Sequence, residues 1–179
     1  MIAFDAHISQ FITNAMPHNA FMDLFFSFFA LQGVFAYIWV LPVLSIFLYE
    51  EIQNRIFIVR IGVTVVTNYA LLTALKLFVA RPRPILYAET ALINAQLSRA
   101  CPTDFSFPSG HATLAVGIAV VMAHTDKKRR VLYYVLAGLI CLSRIYLQCH
   151  FVGDVIIGAL LGYFVGFGVC RSVKLKVRS

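Results

Sequence analysis

Apolar stretches of membrane-spanning length alternate with short polar breaks along most of the chain. Leu24 to Tyr49 carries no Lys, Arg, Asp or Glu, and its later part, about 33–49, predicts a first transmembrane helix. Later apolar segments predict the remaining spans, at about 56–79, 108–124, 131–149 and 151–170. The pattern predicts an all-α integral membrane bundle of five transmembrane helices, or six if residues 20–32 also cross the bilayer.

The N-terminal segment, residues 1–19, carries apolar side chains at helical spacing. They are Phe4, Ile8, Phe11, Ile12 and Ala15. This pattern predicts a short helix that lies in the membrane interface, and a disordered tail is the alternative. No basic segment precedes an apolar run with a small-residue cleavage site, so no cleavable signal peptide is predicted. Because no linker rich in Gly, Ser or Pro divides the chain, we expect a single domain over residues 1–179.

The composition agrees with a membrane protein. Hydrophobic residues make up 60% of the chain, charged residues make up 13%, and the mean hydropathy is +0.82. Soluble domains are about 45–50% apolar. A soluble protein of 179 residues could not bury so much apolar surface, so lipid must cover part of it.

The basic residues are concentrated beside apolar segments. The net charge is +7, and eight of the fifteen Lys and Arg residues lie at 127–130 and 171–178. This placement is typical of cytoplasmic loops under the positive-inside rule and argues against a nucleic-acid partner. With both clusters inside, every intramembrane ionisable group except Arg60 lies on the outward side: Lys76, Arg81, Arg83, His111, Arg144, His150 and Asp154. Ionisable groups near apolar spans are costly and usually functional, which predicts an outward-facing site.

The four cysteines do not form a C-x-x-C pair, which argues against a zinc or thioredoxin-like site. Cys101 and Cys149 fall on the predicted outer side. A disulfide between them is left open, and free thiols are the expectation.

His150 and Asp154 are four residues apart and share a face if one helix continues through both. A carboxylate beside an imidazole fixes its tautomer and stabilises its cation, as a histidine nucleophile or base requires. The alternative is a polar pair that caps the junction between two spans.

Two further features predict an anion site. The segment 108–111, Pro-Ser-Gly-His, begins a predicted helix, where free N–H groups and the helix dipole favour phosphate. Lys76, Arg83 and Arg144 would add three cations to this helix start. Ordinary helix capping and snorkelling of Lys76 to the headgroups are the alternatives.

The three blocks resemble the signature of a known family. Residues 76–84 read K-x6-R-P, residues 108–111 read P-S-G-H, and residues 143–154 read S-R-x5-H-x3-D. In this order they are similar to the motifs of the type 2 phosphatidic acid phosphatase superfamily, which includes bacterial lipid phosphatases and vanadium haloperoxidases. Every position of the signature is filled.

The resemblance implies a role for each matched residue. His150 would attack phosphorus and form phosphohistidine, Asp154 would orient it, and His111 would protonate the leaving oxygen and then activate water. The phosphoryl oxygens would be held by Lys76, Arg83, Ser109, the Gly110 N–H and Arg144. Ser143 is expected to contact phosphate or to support the site, and Arg81 is an extra basic residue that could do either. No metal or other cofactor is expected.

The resemblance implies a bacterial inner-membrane enzyme whose site faces the periplasm or outside. Its expected substrate is a lipid phosphate monoester or diphosphate, such as undecaprenyl diphosphate, phosphatidylglycerophosphate, phosphatidic acid or a lipid A phosphate. A protein that binds or transports lipid phosphate without turnover is the main alternative, and it would not need His111, His150 and Asp154. A soluble haloperoxidase conflicts with the hydropathy, and a structural membrane subunit leaves the charges unexplained. The sequence does not indicate an oligomeric state.

Overall fold

The computed structural model describes residues 2–30, 55–84 and 101–173, and it contains six α-helices and no strand within these ranges. The helices are α1 (Ile2–Ala15), α2 (Ala20–Ala30), α3 (Arg55–Val79), α4 (Gly110–Thr125), α5 (Arg130–Tyr146) and α6 (Val152–Ser172). The predicted all-α class is therefore confirmed for the described residues. The first predicted span, about 33–49, lies outside them.

Helix α4 forms the centre of the bundle and packs closely against α6. Small residues permit this approach: a Cβ placed on Gly162 would lie 2.1 Å from the Thr113 carbonyl oxygen, and one on Gly166 would lie 2.7 Å from the Gly117 oxygen. The two backbones are thus in direct contact, as in small-residue crossings of membrane helices. This contact fixes the start of α6 beside the start of α4.

The outward faces of α3 and α6 are apolar. Phe78 on α3 is 88% exposed and Phe164 on α6 is 65% exposed, among many other exposed large hydrophobic side chains. Ile56–Val79 and Val152–Ser172 are long and apolar enough to cross a membrane. Helices α4 and α5 have 16 and 17 residues, below the roughly 20 that a full span needs, so the number of crossings stays a prediction.

Arg60 joins α3 to the end of α6. Its guanidinium donates to the carbonyl oxygens of Cys170, at 3.2 Å, and Val173, at 3.1 and 3.2 Å. The last carbonyls of a helix have no partner within the helix and carry partial negative charge, so a cation is stabilising there. The charge pattern makes Arg60 an exception among the outward-facing groups. In the structure Arg60 therefore has a structural role, because it links α3 to the end of α6.

No single helix continues through His150 and Asp154, which is the condition under which the two side chains would share a helix face. Helix α5 ends at Tyr146, three residues earlier than predicted, and α6 begins only at Val152. In the turn between them Gln148 adopts a left-handed φ of 53°, which interrupts the helix. The backbone N–H groups of Cys149 and His150 then donate to the Arg144 carbonyl oxygen. His150 therefore lies on a turn, while Asp154 lies in the first turn of α6.

The expectation of free thiols at Cys101 and Cys149 is also wrong, because the structure pairs them in a disulfide with their Cα atoms 5.3 Å apart. The segment 101–109 folds across the end of α5 and brings Cys101 against the turn that carries His150. The two cysteines are 48 residues apart in sequence, so their contact depends on this tertiary fold.

Candidate active site

The predicted site residues come from separate parts of the chain and meet at one end of the bundle. The contributing segments are the end of α3, residues 101–109, the start of α4, the end of α5 with its turn, and the start of α6. Five predicted residues line a common cavity: Lys76, Arg83, Gly110, His111 and His150. Ser109, Ser143, Arg144 and Asp154 are fully buried. The basic loop after α4 lies at the opposite end of that helix.

His150 is contacted on both ring nitrogens. The Nη1 atom of Arg83 lies 3.0 Å from Nε2, while Nδ1 lies 3.7 Å from Asp154 Oδ2 and 3.5 Å from Ser106 Oγ. A guanidinium has donors and no acceptor, so its contact with Nε2 requires a lone pair there. We infer from this network that Nδ1 carries the proton and that Nε2 carries the lone pair.

The surroundings also favour the neutral form of His150. Burial lowers the pKa of His150 to about 4, and the positive charges of Arg83 and Arg144 act in the same direction. Asp154 opposes this shift without reversing it. The ring is therefore neutral, with a free electron pair, at neutral pH.

Asp154 is held rigidly behind the histidine. Its carboxylate accepts the Phe151 backbone N–H at 3.0 Å and a hydrogen bond from the Ser106 hydroxyl, and it pairs with Arg81 at 2.6 Å. The residue is fully buried. Because it lies in the first turn of α6, Asp154 also interacts favourably with the helix dipole. It can therefore stabilise a positive charge on His150 without moving.

Arg81 supports Asp154. Its Nη1 atom lies 2.6 Å from Asp154 Oδ1 and 2.8 Å from Asp5 Oδ2, and its guanidinium stacks 4.0 Å from the centre of the Phe151 ring. Of the two roles that the sequence leaves open for Arg81, these contacts favour support of the site over direct phosphate contact.

Helix α1 is docked against the site. The Ser9 hydroxyl accepts the Val152 N–H and the Asp5 carboxylate accepts the Gly153 N–H, each at 2.9 Å. Side chains of α1 thus cap the first turn of α6, whose own N-cap residue, Phe151, has no side-chain acceptor. The N-terminal segment is a helix, as predicted, whereas its position relative to a membrane stays a prediction.

The cations at the cavity are partly neutralised by a carboxylate. Asp104 contacts both Lys76 and Arg83 through its side chain, and its carbonyl oxygen accepts from Arg83 Nε at 2.8 Å. Lys76 also donates to the Phe105 carbonyl oxygen at 2.9 Å. Burial alone would raise the pKa of Asp104, but hydrogen bonds from Lys76 and Arg83 lower it below the ordinary value.

Ser109 and Gly110 form the predicted start of a helix. Ser109 is the N-cap of α4, its hydroxyl accepts from the Ala112 N–H, and its own N–H donates to the Asp154 carbonyl oxygen at 3.0 Å. A Cβ on Gly110 would meet only Leu72, at 3.8 Å. Gly110 thus lies at the cavity, and the Ser109 hydroxyl caps the first turn of α4.

The side chains of Arg144 and Ser143 have different surroundings. Arg144 is fully buried near both histidines, and its charge contributes to the lowered pKa of His150. The Ser143 hydroxyl donates to the Ile140 carbonyl oxygen in its own helix, at 2.7 Å. Ser143 is therefore anchored within α5 beside the arginine.

Sequence reasoning missed three residues that contact the site: Asp104, Ser106 and Asp5. Each of them is 21 to 148 residues away from its partner in the sequence. Hydrophobic periodicity describes only local structure, so it does not predict these contacts. An acidic residue in the polar segment before Pro108, in a sequence whose site cations have few carboxylates close to them along the chain, is the available clue for Asp104.

Within the described ranges, no group of three or more His, Cys, Asp or Glu side chains is placed to hold a metal ion. Lys76, Arg83, Arg144 and a helix N-terminus instead form an environment suited to an anion.

The chain belongs to the PAP2 superfamily, whose family model matches residues 57–178 and so includes all three motif blocks. This match confirms the resemblance drawn from the motifs. The undecaprenyl-diphosphatase of Sulfolobus acidocaldarius is 31% identical over 137 residues, which cover 73% of this chain and 61% of that protein. The undecaprenyl-diphosphatase BcrC of Bacillus subtilis is 28% identical over 153 residues, covering 84% and 74% respectively.

A solved structure has the same fold. The crystal structure of Aquifex aeolicus LpxE superposes with a TM-score of 0.72 at 29% identity, covering 92% of this chain and 93% of that one.

Proposed function

We propose that this chain is a membrane lipid phosphatase that works through a phosphohistidine intermediate on His150. The observation that carries the proposal is the 3.0 Å contact between Arg83 and His150 Nε2, in a cavity lined by cations. In this contact the imidazole of His150 is neutral and held in a fixed orientation, and it lies where an anion would bind. Membership of the PAP2 superfamily supports the same reading.

In the first half-reaction, His150 Nε2 forms a bond to the terminal phosphorus while the bond from that phosphorus to its leaving oxygen breaks. The leaving oxygen is the lipid oxygen of a monoester or the bridging oxygen of a diphosphate. His111, which lines the same cavity, donates a proton to the departing oxygen. The imidazole of His150 becomes positively charged, and the fixed carboxylate of Asp154 stabilises that charge.

In the second half-reaction, His111 accepts a proton from water as the water oxygen attacks phosphorus. The bond between phosphorus and Nε2 then breaks, which releases inorganic phosphate and restores neutral His150. Each histidine thus returns to its starting protonation state.

The phosphoryl oxygens are stabilised by Lys76, Arg83, Arg144 and the Gly110 N–H. These groups supply positive charge before the reaction begins, which lowers the energy of the transition state without reorganisation. The proposal needs no divalent metal and no other cofactor, because the side chains and the helix N-terminus supply the electrostatic stabilisation. Ser109 holds the Gly110 N–H in place by capping α4, and Ser143 and Arg81 support the site.

The cavity supports a lipid as the substrate. Part of its wall is formed by apolar or aromatic side chains of α3 and α4: Tyr69, Leu72, Leu77 and Leu114. A phosphorylated lipid would place its headgroup at the cations and its first chain segment on this wall. Two relatives are named undecaprenyl-diphosphatases, so a polyprenyl diphosphate is the first candidate. Phosphatidylglycerophosphate, phosphatidic acid and lipid A phosphates are the others.

The charge pattern supports a bacterial inner-membrane location with the site facing the periplasm. The basic loop at 127–130 lies at the end of α4 opposite His111. With that loop in the cytoplasm, the cavity opens at the outer surface. Five or six spans and an interfacial α1 complete the proposed topology.

The test is phosphate release from a panel of purified lipid phosphates in EDTA, with wild type, His150→Ala, His111→Ala and Asp154→Asn. His124→Ala is the control, because His124 is exposed at the other end of α4. We expect EDTA-resistant release by wild type and the control, and loss of at least about 10³-fold in His150→Ala. An acid-labile phosphoenzyme should form in wild type and in the control and be absent from His150→Ala.

Binding of lipid phosphates without release, by folded wild-type protein, would refute the phosphatase and support a binding or transport protein. Release that EDTA abolishes would refute the metal-independent mechanism.

A further inference from the structure

Arg83 has no N–H left for a substrate in the structure. Its Nε donates to the Asp104 carbonyl oxygen, and Nη1 contacts the Cys149 carbonyl oxygen and His150 Nε2. Nη2 contacts the Asp104 carboxylate, at 2.5 Å, and the Phe105 carbonyl oxygen, at 3.4 Å. A guanidinium has five N–H donors, and these are five contacts. A phosphate that binds Arg83 must therefore displace a partner.

The partners differ in how readily they can leave. Three are backbone carbonyl oxygens, and one is the nucleophile itself, whose lone pair is consumed only when it attacks phosphorus. The remaining partner is the Asp104 carboxylate, whose side chain is 50% exposed. By comparison, the Asp154 carboxylate, which must stay in place, is fully buried.

The Asp104 carboxylate also pairs with the second cation of the site, Lys76. One of its oxygens contacts Lys76 and the other contacts Arg83. Two adjacent oxygens of a phosphate would meet the same two cations in the same way, because carboxylate and phosphate both match a guanidinium fork. Hydrogen bonds from both cations hold the pKa of Asp104 below its ordinary value, so the group is ionised at neutral pH.

We propose that the Asp104 carboxylate is an exchangeable counter-ion of the phosphate site, which leaves Lys76 and Arg83 when a lipid phosphate binds. Asp104 is thereby a specificity residue: it requires the incoming group to compete with a carboxylate, so weakly charged headgroups are rejected. This inference rests on the proposed phosphate-binding role of Lys76 and Arg83.

The carboxylate is not needed to position the two cations. Without it, Arg83 keeps its bonds to the backbone oxygens of Asp104, Phe105 and Cys149, and Lys76 keeps its bond to Phe105. Asp104→Asn should therefore preserve the site while weakening the competing anion. If the carboxylate instead served to place the cations, the same variant would weaken phosphate binding. The two roles thus predict opposite changes.

The experiment measures the dissociation constant of inorganic phosphate and of orthovanadate for purified wild type, Asp104→Asn and Asp104→Ser. Asp104→Glu retains the charge. Asp23→Asn is the matched control, because its carboxylate is 39% exposed and pairs with His18 and Tyr146, away from the site cations. We expect both neutral Asp104 variants to bind each anion about tenfold more tightly, because the anion no longer has to displace a carboxylate from the two cations. Asp104→Glu and Asp23→Asn should stay within about twofold of wild type.

Unchanged or weaker anion binding by both folded neutral variants would overturn the proposal. Because anion binding is measured directly, it is independent of turnover. Wild type that binds phosphate but releases none from any lipid would refute the proposed function alone, and the comparison of variants would still decide the role of Asp104.

Discussion

Arg83 donates an N–H toward Nε2 of His150 across 3.0 Å, in the direction from which phosphorus must approach. This contact and the nucleophilic attack require the same lone pair. In the proposed mechanism the arginine would therefore stabilise the reactive tautomer of the resting histidine and would be released to the phosphoryl oxygens when the new bond forms. One residue can thus prepare the nucleophile and then stabilise the transition state.

His150 should remain neutral well below the usual histidine range. Its folded-state pKa is lowered to about 4 from an ordinary 6.5, so the lone pair is lost only as pH falls through about 4. Between those values the unfolded chain binds the proton and the folded chain does not, so protonation lowers stability as pH falls through this window. NMR of protein labelled at histidine carbons, with the signal assigned by its absence in His150→Ala, measures this pKa. Titration at or above 6.5 would contradict the assignment.

Replacing Arg81 with glutamine should reduce turnover more than substrate binding. The change leaves the buried Asp154 without its guanidinium partner and breaks the link to Asp5. We expect kcat to fall by about 10–100-fold with KM within about threefold, since mutation of supporting residues around a site has this scale of effect. Arg129→Gln is the control, because Arg129 pairs with Asp126 at the other end of α4. A raised KM with unchanged kcat would instead assign Arg81 to the phosphate.

The features that sequence reasoning predicted correctly, the family and the start of two helices, are those with local signals. Pro108 and Ser109 precede an apolar run, which predicted the start of α4, and the K-x6-R-P and S-R-x5-H-x3-D blocks indicated the family. The spacing of apolar residues also predicted α3 within one residue at its start.

The missed features depend on contacts between distant segments. The end of α5 at Tyr146 follows from the left-handed Gln148, in a sequence that remains apolar beyond it. Asp5 caps a helix that begins 148 residues later, counted to Gly153. Neither propensity nor hydropathy contains such information, because the partner is defined only after the helices have packed.

Reduction of the Cys101–Cys149 disulfide should lower both activity and stability. The bond closes a long loop and joins the segment that carries Asp104 and Ser106 to the turn that carries His150. Loop-closure entropy predicts a loss of about 2–4 kcal/mol. Activity and the thermal midpoint should fall with a reductant, and Cys101→Ser should match reduced wild type and be insensitive to it. Cys141→Ser, which alters a free thiol, should retain the wild-type response. Four reactive thiols in non-reduced, unfolded protein would show that the bond is absent.

Replacing Gly162 with alanine should destabilise the bundle. The new Cβ would lie 2.1 Å from the Thr113 carbonyl oxygen and 3.0 Å from the Gly117 nitrogen, both backbone atoms of α4 that cannot rotate away. Helix α4 would have to shift, which also moves Gly110 and His111 at its start. Overpacking of this kind costs about 1–3 kcal/mol. Gly168→Ala on the same helix has no atom within 4 Å of its Cβ and should raise stability by up to about 1 kcal/mol through helix propensity. Thermal unfolding in detergent compares the two, and equal midpoints would refute the close α4–α6 contact on which the placement of His111 and Asp154 depends.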